Sequence, residues 1–127
     1  MQQILIDACG WVAINDSGMN IDTELSRVYG PAQMLLLDSV RDELESLNQQ
    51  RPRSKNLLLS LLEQKSQPVQ PLTDNSDHPD DQIFELAVEQ SLPVLTVDVE
   101  LKRRFYQQGL PILEVSKNQR LELVEPL

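Results

Sequence analysis

Asp80-Asp81-Gln82-Ile83-Phe84-Glu85-Leu86-Ala87-Val88-Glu89-Gln90-Ser91-Leu92-Pro93-Val94-Leu95-Thr96-Val97-Asp98 is the stretch on which the fold turns. It reads as an acidic helix start, an apolar helix body, a tight turn and a buried strand. Ile83, Leu86, Ala87 and Gln90 recur at helical spacing, which predicts one stripe facing a core. Pro93-Val94-Leu95-Thr96-Val97 has no polar alternation, as expected of a parallel strand covered on both faces. Such a strand delivers Asp98 at its carboxyl end, where open α/β sheets place their sites. The helix runs antiparallel to the strand, so Asp81 returns beside Asp98. Secondary structure alone thus predicts two neighbouring carboxylates.

Upstream, Ile4-Leu5-Ile6 is β-branched-rich and ends in Asp7, a second aspartate at a strand's carboxyl end. Ala8 to Ile14 is apolar and starts a helix or turn over the sheet, and Asn15-Asp16-Ser17-Gly18 reads as a loop. Asn20 to Tyr29 predicts a helix capped by Asn20 or Asp22 and stopped by Gly30-Pro31. Met34-Leu35-Leu36-Leu37 predicts a second buried strand. Ser39 is the expected cap of the next helix, with Asp42 as its partner. Val40, Glu43, Leu44 and Leu47 share one face of that helix. Glu43 is the anomaly, because a carboxylate on a buried stripe is costly unless paired or bound. A rim position, half in solvent, would remove the cost.

Gln49 to Arg53 breaks that helix, and Ser54 is the expected cap of another, with Leu57, Leu58, Leu61 and Leu62 as its apolar stripe. Val69 to Leu72 is a short strand candidate weakened by Pro68 and Pro71. Asp77 is the expected cap of the helix holding Asp81, with Pro79 in its first turn. Beyond Asp98, Val99 to Gln108 predicts a basic helix ended by Gly109. Pro111-Ile112-Leu113 begins a final central strand, and Gln119 to Val124 adds an edge strand. The alternation predicts an α/β fold with a doubly wound parallel sheet, as a single domain over 1–127.

Composition sets outer limits. The 127 residues suffice for one real core, and 40% hydrophobic with 24% charged residues is ordinary for a globular chain. No apolar run approaches the roughly 20 residues of a membrane helix, and no secretory signal opens the chain, so a cytoplasmic location is expected. One cysteine, Cys9, excludes an internal disulfide and a cysteine metal cage. Eleven basic against 20 acidic residues give a net charge of −9. That is the reverse of a typical nucleic-acid footprint, although acids converging on one metal would exaggerate it. Charge neither supports nor excludes a nucleic-acid substrate.

Asp7 and Asp98 end neighbouring strands, Asp81 begins a helix close by, and Glu43 can face the same crevice. Carboxylates so gathered repel one another unless a divalent cation holds them. An all-oxygen set suits Mg²⁺ or Mn²⁺, and such ions can activate water for phosphodiester hydrolysis.

At this point the chain resembles a known family. Ile4-Leu5-Ile6-Asp7, Val40-Arg41-Asp42-Glu43-Leu44, Asp80-Asp81-Gln82-Ile83 and Leu95-Thr96-Val97-Asp98 look like the four acidic motifs of the PIN-domain nucleases. Val94 to Leu113, with Thr96, Asp98, Leu101, Arg103 and Gly109-Leu110-Pro111-Ile112, is similar to the archaeal and rRNA-processing branch. The resemblance spans essentially the whole chain. It implies a three-layer α/β/α fold with a central parallel sheet, and a metal-dependent endoribonuclease using Mg²⁺ or Mn²⁺. The implied catalytic and metal ligands are Asp7, Glu43, Asp81 and Asp98, with Thr96, Asp80 and Glu100 beside them. RNA is the implied substrate, and relatives often dimerise or act with a protein partner. Family members usually follow the first aspartate with Thr or Ser and then Asn or Ser. Here Ala8 and Cys9 stand there, which removes a hydroxyl that would orient a carboxylate or a metal-bound water. The alternative is a degenerate module that binds RNA or protein without cleaving.

Lys102-Arg103-Arg104, just after Asp98, is either a solvated helix face or a set of phosphate contacts. Arg51-Pro52-Arg53-Ser54-Lys55 is a second basic loop with a weaker claim. Cys9 reads most simply as a small buried hydrophobe, Trp11 as core, and His78 as a surface or capping residue. Receiver domains share the gross architecture, with Lys117 in the place of their lysine. They need an aspartate ending the middle strand and paired acids after the first, and this chain has neither.

Overall fold

A computed structural model describes residues 2–72, 78–116 and 120–125. The elements in chain order are β1 (Gln2–Ile6), α1 (Ala8–Ser17), α2 (Ile21–Val28), β2 (Ala32–Leu37), α3 (Asp38–Gln49), α4 (Leu59–Lys65) and β3 (Ser66–Val69). They continue with α5 (Pro79–Gln90), β4 (Val94–Leu95), α6 (Val99–Gln107), β5 (Ile112–Val115) and β6 (Leu121–Val124), and a 3-10 turn covers Arg53–Lys55. The sheet order is β3-β2-β1-β4-β5-β6, all neighbours parallel except the β5–β6 pair. The strand order reverses between β1 and β4, so the crevice of a doubly wound sheet opens at their carboxyl ends. Right-handed crossovers put the helices of the β1–β2–β3 half on one face and α5 and α6 on the other. This is the expected α/β fold around a mostly parallel sheet.

The central strands are apolar on both faces because both are covered. Ile4, Leu5 and Ile6, Met34 to Leu37, and Val94 and Leu95 are all buried. Ile83, Leu86 and Ala87 of α5 are buried with them, whereas Gln90, counted in the same stripe, is exposed. Helix ends follow the capping chemistry. Asn20 caps α2, and the Gly30 N–H closes on the Leu25 carbonyl in a left-handed turn. Gly109 takes φ +71 after α6, and Leu110 closes on the Phe105 carbonyl.

Several local expectations are corrected. Asn15 to Ser17 belong to α1, not to a loop; Gly18 stops the helix. Ser39 is not a cap: α3 begins at Asp38, and the Ser39 hydroxyl bonds Gln82 Oε1 of α5 at 2.5 Å. Ser54 does not cap α4 either, because Leu58 occupies that position with left-handed backbone. Of the four leucines there, only Leu57 and Leu62 are buried. The edge strand lies at Ser66–Val69 instead of Val69 to Leu72, and Pro68 sits in it because an edge tolerates a missing donor. Asp77 and Lys117 fall outside the described residues.

Candidate functional site

The crevice is built first from Asp7. It follows β1 with extended backbone and caps α1, its Oδ1 accepting the Gly10 N–H at 2.7 Å. Its Oδ2 accepts the Thr96 hydroxyl at 2.5 Å and the Cys9 thiol at 3.1 Å. Two donors fill Oδ2, while Oδ1 keeps one lone pair. Burial pushes the Asp7 carboxyl up to about 6; the three donors oppose the rise and the charge of Asp80 adds to it. Gly10 carries a steric demand absent from the sequence reading. A Cβ there would strike the Leu95 carbonyl oxygen and Asp7 Oδ1, so glycine lets α1 start against β4. The aspartate-x-x-glycine spacing was the available signal.

Thr96 joins the two aspartates. Its hydroxyl donates to Asp7 and accepts the Asp98 N–H at 3.1 Å. Asp98 in turn caps α6, accepting the Leu101 N–H at 2.9 Å. Cys9 is more than the small hydrophobe expected from sequence. Burial and then the charge of Asp7 push its thiol up to about 11, so at neutral pH it stays protonated and donates. The thiol occupies the place of the missing hydroxyl.

The acidic helix start separates into two roles. His78 caps α5, its Nδ1 accepting the Asp80 N–H at 3.2 Å. Burial raises the Asp80 carboxyl, and the nearby charge of Asp98 raises it further. Glu43 is raised by burial and then by Asp80, and Asp7 also feels Asp80. Asp80 is therefore the carboxylate coupled to Asp7, Glu43 and Asp98. Asp81 instead takes the Arg104 guanidinium at 2.9 Å, and Arg104 lies 4.2 Å from the centre of the Phe84 ring. Successive helix residues point about 100° apart, so the two carboxylates face different directions. Glu43 is exposed at the rim, not on a buried stripe; Val40 and Leu44 alone make that stripe, and Leu47 is exposed as well.

The basic run is locally neutralised. Lys102 pairs with Glu114 at 2.9 Å, Arg103 with Glu100 at 3.1 Å, and Arg104 with Asp81. Glu100 thus serves Arg103 on an exposed surface. Trp11 is core, its Nε1–H donating to the Leu57 carbonyl at 2.8 Å.

The donor set fits a hard divalent cation in chemistry. The charge of Asp80 raises the proton affinity of Asp7 and Glu43, and that of Asp98 raises Asp80, a repulsion that a cation relieves. Among the described residues, no three His, Cys, Asp or Glu side chains form a group that could hold an ion as they stand.

Comparisons with known proteins agree with the fold. A family model described as a PIN like domain matches residues 4–118. The structure of the PIN domain endonuclease Utp24 superposes with a TM-score of 0.80 at 21% identity, covering 98% of this chain and 94% of that one. VapC20 of Mycobacterium tuberculosis, a sarcin-ricin loop cleaving toxin, gives a TM-score of 0.53 at 12% identity, covering 79% and 93%. No curated protein matches by sequence.

Proposed function

The chain belongs to the PIN-like domain family, and from that premise we propose that it is a divalent-metal-dependent endoribonuclease acting on unpaired RNA. One observation carries the reading: at the switch point of the sheet the Thr96 hydroxyl ties the buried Asp7 carboxylate to the backbone of Asp98, and Asp80 lies close enough for its charge to act on Asp7 and Glu43. Utp24, an endonuclease, and VapC20, a sarcin-ricin loop cleaving toxin, share the fold, and that analogy supports this chemistry.

Asp7, Glu43, Asp80 and Asp98 would hold Mg²⁺ or Mn²⁺, in place of a set built on Asp81. A bound ion would supply charge neutralisation at the phosphodiester and a more acidic water. The chain's own residues do the rest. Gly10, Thr96 and Cys9 fix the Asp7 carboxylate so that one lone pair of Oδ1 remains available. Thr96 ties that carboxylate to the backbone of Asp98. Arg104 pairs with Asp81 and lowers the Asp80 carboxyl, offsetting charge at the acidic helix start.

The second reading, a module that binds without cleaving, is favoured by the lack of a ready three-ligand group among the described residues. Incubation of an unpaired, fluorescently labelled RNA with Mn²⁺ separates the two. Internal cleavage that stops with EDTA is expected. Intact RNA, with Mn²⁺ binding detected calorimetrically, would establish the non-cleaving module.

A further inference from the structure

Far from the carboxylates, α1 ends in an open cavity of about 720 Å³. Asn15, Asp16, Gln50, Arg51, Arg53 and Lys55 line it. Asp16 is nine residues after Asp7 on the same helix, so the cavity lies about 14 Å along α1 from the crevice.

Its loop is held unusually firmly for an exposed connection. The Asn48 side chain accepts the Leu57 N–H at 2.8 Å, and Trp11 Nε1–H donates to the Leu57 carbonyl at 2.8 Å. Asn15 Nδ2 donates to the Asn56 carbonyl at 3.1 Å. Arg51 Nε donates to the Lys55 carbonyl at 2.7 Å while its guanidinium pairs with Asp16. Leu58 closes the loop with φ +52, a conformation that a leucine keeps only where its surroundings impose it. The fixed frame leaves Arg53 and Lys55 exposed at the cavity.

Those two side chains stand apart electrostatically. Arg27, Arg41, Arg51, Lys65, Lys102, Arg103, Arg104 and Arg120 each have an acidic partner. Among the described lysines and arginines, Arg53 and Lys55 have none. A chain of net charge −9 could have neutralised them easily. Instead it presents two uncompensated cations on a pre-ordered loop, with the amide donors of Asn15 and Gln50 alongside. Pre-ordering removes the entropy that flexible cations lose on gripping an anion.

We propose that the Arg53–Lys55 loop is a second RNA-binding site that takes backbone phosphates of the strand whose scissile bond lies in the carboxylate crevice. It rests on the endoribonuclease reading for the identity of the polyanion. The span of one helix between the two sites sets a length requirement: RNA must reach from crevice to loop to use both.

The test compares wild type with an R53Q/K55Q variant. Both residues are exposed and unpaired, so the variant keeps the fold, and an R53K/K55R variant restores the charges. The probe is a fluorescein-labelled oligouridylate of about twenty nucleotides, titrated in EDTA over a range of salt concentrations, beside a quenched RNA of about four nucleotides for cleavage in Mn²⁺. Two lost single-strand phosphate contacts lower the salt slope by about 1.4, making the affinity lost between about 50 and about 200 mM salt roughly sevenfold smaller. R53K/K55R should recover the slope. An unchanged slope for R53Q/K55Q overturns the proposal while leaving the nuclease reading intact. Binding with the expected slope change but no cleavage by any variant supports the second site and removes the nuclease reading. Displacement of the long probe by oligoglutamate, with the R53Q/K55Q variant resistant, would assign the loop to an acidic peptide and overturn it as an RNA site.

Discussion

The two ends of α1 hold opposite kinds of unsettled charge. At its start, Asp7 is buried and surrounded by donors, while Asp80 raises the proton affinity of Asp7 and Glu43, and Asp98 that of Asp80. At its finish, Arg53 and Lys55 stand free on a pinned loop. Elsewhere on the described surface, cations sit in ion pairs, including Lys102, Arg103 and Arg104 of α6. The helix dipole favours both ends, since its positive pole faces the carboxylates and its negative pole faces the cations. Uncompensated charge in two places, one of each sign, is what a metal-dependent site on a polyanion requires. It also gives the arrangement several points at which it can be broken.

The largest expected effect is on cleavage. Asp80→Asn should lower the rate by about 10³-fold, the scale of losing an electrostatic group at the reacting centre. Asp81→Asn should cost about tenfold or less, because Asp81 serves Arg104. Single-turnover rates in Mn²⁺ compare the two. A dead Asp81→Asn beside an active Asp80→Asn would reverse the assignment and restore the ligand set implied by family resemblance.

Stability without metal sharpens the same end. The Asp7 carboxyl rises from 3.8 to about 6 on folding, so the folded state binds that proton more tightly than the unfolded chain. Its contribution is therefore favourable at low pH and is lost as pH rises from about 4 through about 6. The full difference is about 3 kcal/mol at most. Asp7→Asn removes the ionisation, and its amide oxygen can still accept the Gly10 N–H. In EDTA the variant should be more stable than wild type at pH near 7.5, and the gain should vanish near pH 4. Denaturant melts at both pH values decide the point. Equal destabilisation at both would mean that the Thr96 and Cys9 hydrogen bonds outweigh burial.

Much of this was legible in the sequence because it depends on periodicity and chain direction. Apolar runs before Asp7 and Asp98 marked two neighbouring strands, although β4 keeps only Val94 and Leu95 of the five residues read as a strand, and the stop signals at Gly30 and Gly109 fell where they were read. What escaped depends on side-chain direction or long-range partners. Asp80 and Asp81 are neighbours in sequence, and only the structure shows that Arg104, stacked over Phe84, reaches across from α6 to pair with Asp81. Ser39 looked like a cap until Gln82 became its partner. The loop before α4 follows no local propensity, because Trp11, Asn15 and Asn48 from distant segments dictate its course.

Cys9 gives a smaller effect. Cys9→Ser keeps a donor for Asp7 Oδ2 and should retain most activity. Cys9→Ala removes it, leaving Thr96 alone on that oxygen, and should slow cleavage by about tenfold, the low end for a group that orients a ligand. Equal rates for the two variants would return Cys9 to the role of small core filler.

The smallest effect is expected at Asp98, where two influences oppose each other. Asp98 carries a charge close to Asp80, and neutralising it relieves that repulsion. The same charge sits at the N-terminus of α6, where the helix dipole favours an anion by about 0.3–1 kcal/mol. Asn caps helices about as well as Asp, so the bond from the Leu101 N–H survives the change. Asp98→Asn should therefore leave stability in EDTA within about 0.5 kcal/mol of wild type, while Asp98→Ala loses the cap and about 1 kcal/mol. Added Mn²⁺ breaks the balance, because it stabilises the folded state only as far as its ligands hold it. Melts with Mn²⁺ should consequently rise for wild type and much less for Asp98→Asn. Equal Mn²⁺ shifts would leave Asp98 as a helix cap alone, and the acidic end of α1 would have to hold its cation without it.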